Sequence, residues 1–161
     1  MSESSPDFPP TSIAAFLRCC AGEWMGLRSR FAPSDGPEAG EGDEWHTSER
    51  GELVVAFLEP TDAGSVGGLS VGPKGEPPRR LLFSADGELQ AGDQRGRWEL
   101  WPDGSLELVL SQGEGELRER IWFNKPNLRL RSTIEQPADG TPGRASFSSE
   151  IRRVSKPAAA A

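Results

Sequence analysis

Residues 118–131 read Arg-Glu-Arg-Ile-Trp-Phe-Asn-Lys-Pro-Asn-Leu-Arg-Leu-Arg, and this stretch predicts two strands joined by a reversal of the chain. In its first half apolar and polar side chains alternate, which is typical of a strand because side chains return to one face every second residue. The same alternation starts at Leu117 and places Ile121 and Phe123 on one face together with Glu119. A carboxylate therefore lies in an otherwise apolar row.

The reversal is predicted at residues 124–127, Asn-Lys-Pro-Asn, because proline lacks the N–H that a strand ladder needs and asparagine tolerates turn conformations. The partner strand then carries Arg129 and Arg131 on one face and Leu128 and Leu130 on the other. Which face points inward depends on the register, because a slip of one residue moves every side chain to the opposite face.

Two registers remain open. With an odd-length turn, Glu119 lies opposite Arg131 and shares a face with Arg129. With a four-residue turn, Glu119 faces Ser132, and the two arginines join Trp122. Arginine is rarely buried unpaired, which favours solvated arginines and a leucine core. The alternative places Glu119, Arg129 and Arg131 together in a cavity, which would suit a ligand that carries carboxylates.

Length and charge restrict the class of protein. A chain of 161 residues is long enough for one domain with a continuous core. The formal net charge of -7 and a pI of about 4.8 argue against nucleic acid or an anionic membrane as the main partner, because both attract basic surfaces. A local cluster of arginines is correspondingly notable in so acidic a chain.

The cysteines and the histidine argue against several kinds of site. Cys19 and Cys20 are adjacent, which is poor geometry for a disulfide and gives no metal-ligand spacing. His46 is the only histidine, so neither a catalytic triad nor a two-histidine metal site is expected. No secretory signal or apolar membrane-spanning run is apparent. We therefore expect a soluble cytoplasmic protein without a metal.

The predicted organisation is one domain over residues 11–154, with a disordered N-terminus at 1–10 and a disordered tail at 155–161. Thr11 or Ser12 can cap a short helix that ends at Cys20, because apolar side chains recur there at helical spacing. An acidic loop rich in glycine and proline is expected from Ala32 to Glu44.

The remainder of the chain has the pattern of short strands separated by turns. Together with one leading helix, this pattern predicts an antiparallel barrel or a sandwich. A small barrel can enclose one ligand. The predicted strands, besides those of residues 118–131, are Glu23–Phe31, Trp45–Leu58 with a bend at Gly51, Gly67–Val71, Arg80–Ser84, Glu88–Ala91, Trp98–Trp101, Leu106–Leu110 and Ala145–Val154.

Five tryptophans, at positions 24, 45, 98, 101 and 122, either pack in the core or form walls for a flat conjugated ligand. Gly22-Glu23-Trp24, directly after the helix, resembles the Gly-x-Trp signature of lipocalin-type barrels. In those barrels the tryptophan closes one end against an arginine from a late strand, a position that Arg152 or Arg153 could occupy here.

Three stretches of the chain belong together: Glu119-Arg120-Ile121-Trp122-Phe123, then Pro126-Asn127-Leu128-Arg129-Leu130-Arg131, and later Ala145-Ser146-Phe147-Ser148-Ser149-Glu150-Ile151-Arg152. In combination they resemble the S/U-type phycobiliprotein lyases of cyanobacteria and cryptophyte algae. The helix followed by Ala21-Gly22-Glu23-Trp24 is similar to the start of that family. The middle of the chain is less similar, and residues 67–83 contain no tryptophan, unlike the middle strands of family members.

The resemblance implies an all-β fold, a lipocalin-like or fatty-acid-binding-protein-like antiparallel barrel with a short N-terminal helix. It implies binding of an open-chain tetrapyrrole, a bilin such as phycocyanobilin or phycoerythrobilin, without a metal. The bilin would be attached through a thioether to a cysteine of a phycobiliprotein α or β subunit. The resemblance also implies action as a homodimer or with a related lyase subunit. A carrier that binds a bilin or another apolar acid without promoting bond formation is the alternative.

The resemblance also implies roles for three residues, Glu119, Arg129 and Arg131, and Trp122 is added as an aromatic wall for the ligand. Glu119 would be catalytic, acting at the ring nitrogens or at the carbon that the thiol attacks. Arg129 and Arg131 would bind the bilin propionates, and Trp122 would contact the chromophore. The nucleophile would belong to the client, which leaves Cys19 and Cys20 without a role in catalysis.

Overall fold

The computed structural model of the protein describes residues 8–31 and 46–154. The predictions for residues 1–7, for the acidic loop 32–44 and for the tail 155–161 lie outside the described residues, as does Trp45. The disorder predicted for residues 8–10 stays a prediction; in the structure Pro10 is buried and the ring of Phe8 contacts that of Phe123 edge-on at 6.4 Å.

One helix and ten strands follow one another along the chain. Each strand pairs antiparallel with its sequence neighbours, and β1 pairs with β10 to close the barrel. The predicted barrel is thereby confirmed, and the sandwich is not formed. The elements are α1 Ile13–Cys20, β1 Gly22–Phe31, β2 His46–Leu58, β3 Ser65–Pro73, β4 Arg79–Ser84, β5 Glu88–Ala91, β6 Gln94–Leu100, β7 Leu106–Gln112, β8 Gly115–Lys125, β9 Leu128–Gln136 and β10 Ala145–Arg152.

Helix α1 packs on the barrel through its apolar side. Ser12 is the N-cap, and its hydroxyl accepts a hydrogen bond from the backbone N–H of Ala15, as the sequence predicted. Phe16, Leu17 and Cys20 are fully buried. The helix contacts β2 and β3. Among the described residues no helix is long and apolar enough to cross a membrane.

The end of the barrel next to α1 is sealed by Trp24. Its side chain is fully buried, and the indole N–H donates to the carbonyl of Cys20 at 2.9 Å. The guanidinium of Arg152 lies 4.3 Å from the ring centroid and donates to the carbonyl oxygens of Cys19, Ala21 and Pro126. A Cβ at Gly22, whose φ is +142°, would lie 2.9 Å from Nη1 of Arg152. Trp24 therefore pairs with Arg152, one of the two arginines predicted for this contact, and not with Arg153.

The β8–β9 hairpin has a register that differs from both alternatives. Its turn is the two-residue Pro126-Asn127, and the extra residue Asn124 is accommodated as a bulge between Phe123 and Lys125. Glu119 consequently lies opposite Thr133. A bulge and a two-residue turn together preserve the faces expected from an odd-length turn, but they shift the pairing by two residues.

Candidate functional site

The inner face of β8 and β9 carries the charged residues that the hairpin sequence indicated. Glu119 and Ile121 lie on the same side of β8, and Arg131 is directly opposite Ile121. Arg129 pairs with Phe123, one step nearer the turn. The structure thus brings Glu119, Arg129 and Arg131 together inside the barrel, where all three line one cavity.

A carboxylate that the sequence interpretation did not assign, Glu150 of β10, joins the two arginines. Its Oε1 accepts hydrogen bonds from Nε of Arg129 at 2.9 Å and from Nε of Arg131 at 3.0 Å. The side chains of Glu150 and Arg129 are each 3% exposed, so their ion pair is buried. A charge away from water is strongly unfavourable unless it is paired and hydrogen-bonded. Glu150 therefore fixes the position of both guanidinium groups.

Glu119 is connected to this network through Arg131. Nη1 of Arg131 donates to Oε1 of Glu119 at 3.4 Å, a contact between diagonal neighbours of the two strands. The side chain of Glu119 is 22% exposed, whereas that of Glu150 is 3% exposed. Of these two carboxylates, Glu119 is the more exposed to the cavities.

Arg28 of β1 adds a third guanidinium to the interior. It lies opposite Ser148 of β10, and its Nε donates to the serine hydroxyl at 3.4 Å. Arg131 pairs with the same serine from β9, so the two cations flank one hydroxyl group. Within residues 8–31 and 46–154, no carboxylate lies within ion-pair distance of Arg28. The sequence carried a signal for Arg28, because an even spacing from Trp24 places both on one strand face.

The electrostatic surroundings of Arg131 and Arg28 differ. Burial by itself would lower the pKa of Arg131, but the charges of Glu119 and Glu150 and their hydrogen bonds raise that pKa overall. Burial lowers the pKa of Arg28, and the neighbouring cations Arg131 and Arg30 lower it further, while the more distant carboxylates of Glu49 and Glu119 offset part of this shift. Arg131 has its counter-ions within the protein. Among the described residues Arg28 has no carboxylate within ion-pair distance, since Glu49, opposite it on β2, pairs with Arg30 instead, and this favours an anionic group of a ligand at Arg28.

Two cavities share Arg131 as a lining residue. The first has a volume of about 130 Å³ and combines Glu119, Arg129 and Arg131 with an apolar wall. The second, about 290 Å³, is lined by polar residues that include Arg28, Ser148 and Glu150. An apolar wall with a few placed polar groups is typical of small-molecule sites. The apolar wall of the first cavity consists of Leu69, Val71, Leu81, Leu108, Leu110, Leu117 and Ile121.

Trp122, predicted to contact the chromophore, lies on the opposite side of β8 from this site. It pairs with Leu130, and the guanidinium of Arg120 lies 5.5 Å from its ring centroid and 4.7 Å from that of Trp101. Because side chains alternate across a strand, a position next to Ile121 must point out of the barrel. None of the four described tryptophans lines either cavity, and Trp24 and Trp98 instead belong to or pack against the core.

The thiols lie away from these cavities and are poorly suited to nucleophilic attack. Cys19 and Cys20 are free, and burial raises the pKa of both. A thiol that stays protonated near neutral pH is a weak nucleophile. Among the described residues, no group of three or more His, Cys, Asp or Glu side chains is arranged to hold a metal ion.

Comparison with known proteins supports the family indicated by the sequence. Residues 79–153 match the model of the CpeS-like protein family. The chain is 46% identical over 151 residues to chromophore lyase CpcS/CpeS 1 of Paulinella chromatophora, with 92% of each chain covered. It is 34% identical over 112 residues to chromophore lyase CpcS/CpeS 1 of a Synechocystis strain, which covers 69% of this chain and 53% of the relative.

A solved structure gives the same picture of the fold. The S-type phycobiliprotein lyase CPES from Guillardia theta superimposes with a TM-score of 0.67 at 20% sequence identity, covering 90% of this chain and 94% of that one. This likeness concerns the barrel, whereas the relation to the Paulinella protein extends along nearly the whole sequence. The chain belongs to the CpeS-like family, the family of the CpcS/CpeS chromophore lyases.

Proposed function

We propose that the protein is a phycobiliprotein lyase that binds a bilin in its barrel and promotes thioether attachment to a cysteine of a phycobiliprotein subunit. The observation that carries this proposal is the interior cluster of Arg28, Arg129, Arg131, Glu119 and Glu150 beside an apolar wall. Proteins named chromophore lyases are the relatives that support it. A cytoplasmic location remains a prediction.

A bilin matches the two kinds of surface in the site. Its conjugated pyrrole system is flat and largely apolar, and it suits the leucine-rich wall of the first cavity. Its two propionates suit guanidinium groups, which bind carboxylates by charge-assisted, often bidentate hydrogen bonds. Arg131 and Arg28 present these groups, while Arg129 lines the same cavity and keeps Glu150 in place.

Glu119 is the group placed to act on the bound tetrapyrrole. Its carboxylate reaches the cavity and is held by a single contact to Arg131, so it remains able to hydrogen-bond a pyrrole nitrogen or to exchange a proton. The client thiolate adds to one carbon of a double bond of the bilin, a carbon–sulfur bond forms, and the proton lost by the thiol ends on the tetrapyrrole. The addition is balanced without an oxidant or a reductant.

Most of the rate effect in this scheme comes from positioning. A bilin held in one conformation presents the same carbon to each incoming thiol, and orientation of this kind is a large contribution to catalysis. The client subunit provides the reacting sulfur, and the barrel binds and orients the bilin. We propose phycocyanobilin or phycoerythrobilin as the substrate and a phycobiliprotein α or β subunit as the acceptor. The protein would act as a homodimer or together with a related lyase subunit.

Co-expression tests the function directly. The protein is produced with bilin-synthesising enzymes and, one at a time, with individual phycobiliprotein subunits. We expect one subunit to carry bilin fluorescence that survives denaturation, which shows a covalent bond. If the protein binds bilin but labels no subunit faster than a control without it, it is a carrier. If it does not bind bilin at all, both readings fail.

Arg131→Leu should weaken bilin binding by about tenfold or more, because a charge-assisted contact to a propionate is removed. Arg118→Leu is the matched control, since Arg118 lies on the outer side of β8 and pairs with Glu107 and Glu116 there. Absorption titration with free bilin gives both dissociation constants. Equal constants for Arg131→Leu, Arg118→Leu and the parent would contradict the assignment of Arg131 to the ligand.

Cys19→Ser combined with Cys20→Ser should leave covalent transfer to the client unchanged, because the bond-forming sulfur belongs to the client. Cys20 is fully buried, so the double variant is expected to lose some stability through altered packing. The initial rate of client labelling is the measurement. A bilin trapped covalently on either cysteine during turnover would contradict the prediction.

A further inference from the structure

A pair of glycines lies inside the barrel beside the buried ion pair. Gly26 of β1 is directly opposite Gly51 of β2 on one side and Glu150 of β10 on the other. The flanking inner positions of β1 are Trp24 and Arg28, so two adjacent strands lack a side chain at the same level. Gly26 and Gly51 both line the cavity of about 290 Å³. We call this recess in the wall the glycine notch.

The backbone conformation at position 51 does not require a glycine. Its φ is outside the left-handed range, and a Cβ built there meets no atom of the described residues within 4 Å. Glycine weakens a strand because it loses more conformational freedom than other residues on folding, and it often marks a place where another group approaches the backbone closely. The vacant volume at Gly51 thus indicates space for a ligand.

The glycine notch is next to an unused hydrogen-bond acceptor. Both arginines donate to Oε1 of Glu150. Oε2 of the same carboxylate accepts no hydrogen bond from the described part of the chain, and a Cβ at Gly26 would lie 3.8 Å from it. An ionised carboxylate oxygen is an acceptor, and Glu150 lines the cavity. The notch therefore combines open space with an acceptor that a donor on a ligand can use.

We propose that the glycine notch seats one pyrrole ring of the bilin, with its N–H donating to Oε2 of Glu150. This inference rests on the proposed function and assigns the position of one ring within it. A flat ring fits against a wall that has only backbone, and the N–H of a pyrrole is a donor of the kind that Oε2 lacks. The adjacent Arg28 then lies within the same cavity for a propionate of that ring or its neighbour.

The proposal explains how the site can fix the conformation of a flexible substrate. Glu119 and Glu150 lie on different strands, β8 and β10, on either side of Arg131. If Glu119 acts on one part of the tetrapyrrole while Glu150 holds another ring in the glycine notch, the chromophore is held at two points. Gly26 and Gly51 are then residues that determine specificity, because their lack of side chains sets how far the ring enters.

Substitutions at Gly51 test this with little risk to the fold. Gly51→Ala places a methyl group in open space, and Gly51→Leu fills more of the notch. A ring packed on the backbone of Gly51 leaves no room for either, and overpacking of about 1–3 kcal/mol corresponds to affinity losses of about fivefold to hundredfold. We expect Gly51→Ala at the lower end, Gly51→Leu at the upper end, and thermal midpoints at or above that of the parent.

Ser149→Leu is the matched control, because Ser149 pairs with Leu27 and Leu130 on the outer side of the barrel. Its bilin affinity should equal that of the parent in the same absorption titration. Parent-like affinity of Gly51→Ala and Gly51→Leu would overturn the glycine notch as a ring site and leave the proposed function intact. Equal losses in Ser149→Leu would also overturn it. If Gly51→Leu does not fold, Gly51→Ala decides. A parent protein that binds no bilin would instead refute the proposed function.

Discussion

Glu150→Leu is expected to lower the free energy of unfolding by about 3–5 kcal/mol, the range observed when one partner of a buried ion pair is removed. The substitution leaves Arg129, which is 2% exposed, without a carboxylate partner. Arg131 keeps only its 3.4 Å contact to Glu119. Urea denaturation, followed by tryptophan fluorescence, measures the loss.

Two further variants test whether the loss of stability comes from the buried ion pair and not simply from the loss of a glutamate. Glu116→Leu removes a carboxylate that pairs with Arg118 on the surface of the barrel, and exposed pairs contribute about 0–1 kcal/mol. Combining Glu150→Leu with Arg129→Leu removes the unpaired buried charge and should recover part of the stability. If Glu150→Leu is as stable as Glu116→Leu, the ion pair does not hold the interior together.

Glu119→Gln is expected to slow covalent transfer by about a hundredfold, within the usual range for loss of a general acid or base. Glutamine preserves the shape and much of the hydrogen bonding, so bilin should still bind, with a shifted absorption band. The partial exposure of Glu119 and its single contact to Arg131 predict little change in stability.

Bilin binding and thioether formation must be measured separately for this variant. Absorption titration gives the dissociation constant, and saturating bilin with a client subunit gives the rate of thioether formation. A variant that binds weakly but transfers at the parent rate when saturated would make Glu119 a binding residue. A variant equal to the parent in both would remove it from the site.

The sequence predicted the faces of the central hairpin but not its pairing. Alternation alone determined that Glu119 and Ile121 share a side, because the period of a strand is two residues. The pairing depended on whether Asn124 belonged to the turn or to the strand. The structure places it in a bulge, and a bulge has no reliable signature in a sequence of Asn, Lys and Pro.

Long-range pairing accounts for the residues that sequence reasoning missed. Glu150 lies opposite Gly26 on one side and Arg129 on the other only because β10 inserts between β1 and β9. The arginines nearest to Glu150 in sequence, Arg144, Arg152 and Arg153, are not its partners, and the guanidinium groups that bind it lie 21 and 19 residues away. For Trp122 the sequence indicated an aromatic side chain near the site, but its side of β8 depends on the alternation along the strand, which places it on the side opposite to Ile121.

The closure of the barrel between β1 and β10 also determines when the site can exist during synthesis. Arg28 and Ser148, which form one wall of the second cavity, are 120 residues apart in sequence. Contacts of such separation form late, because the entropy of closing a long loop must be overcome first. A nascent chain that still lacks β10 has neither Glu150 nor the pairing of β1 with β10 that places Arg28 opposite Ser148. The proposed bilin site therefore forms only after β10 has paired with β1 and β9, which places its assembly at the end of folding.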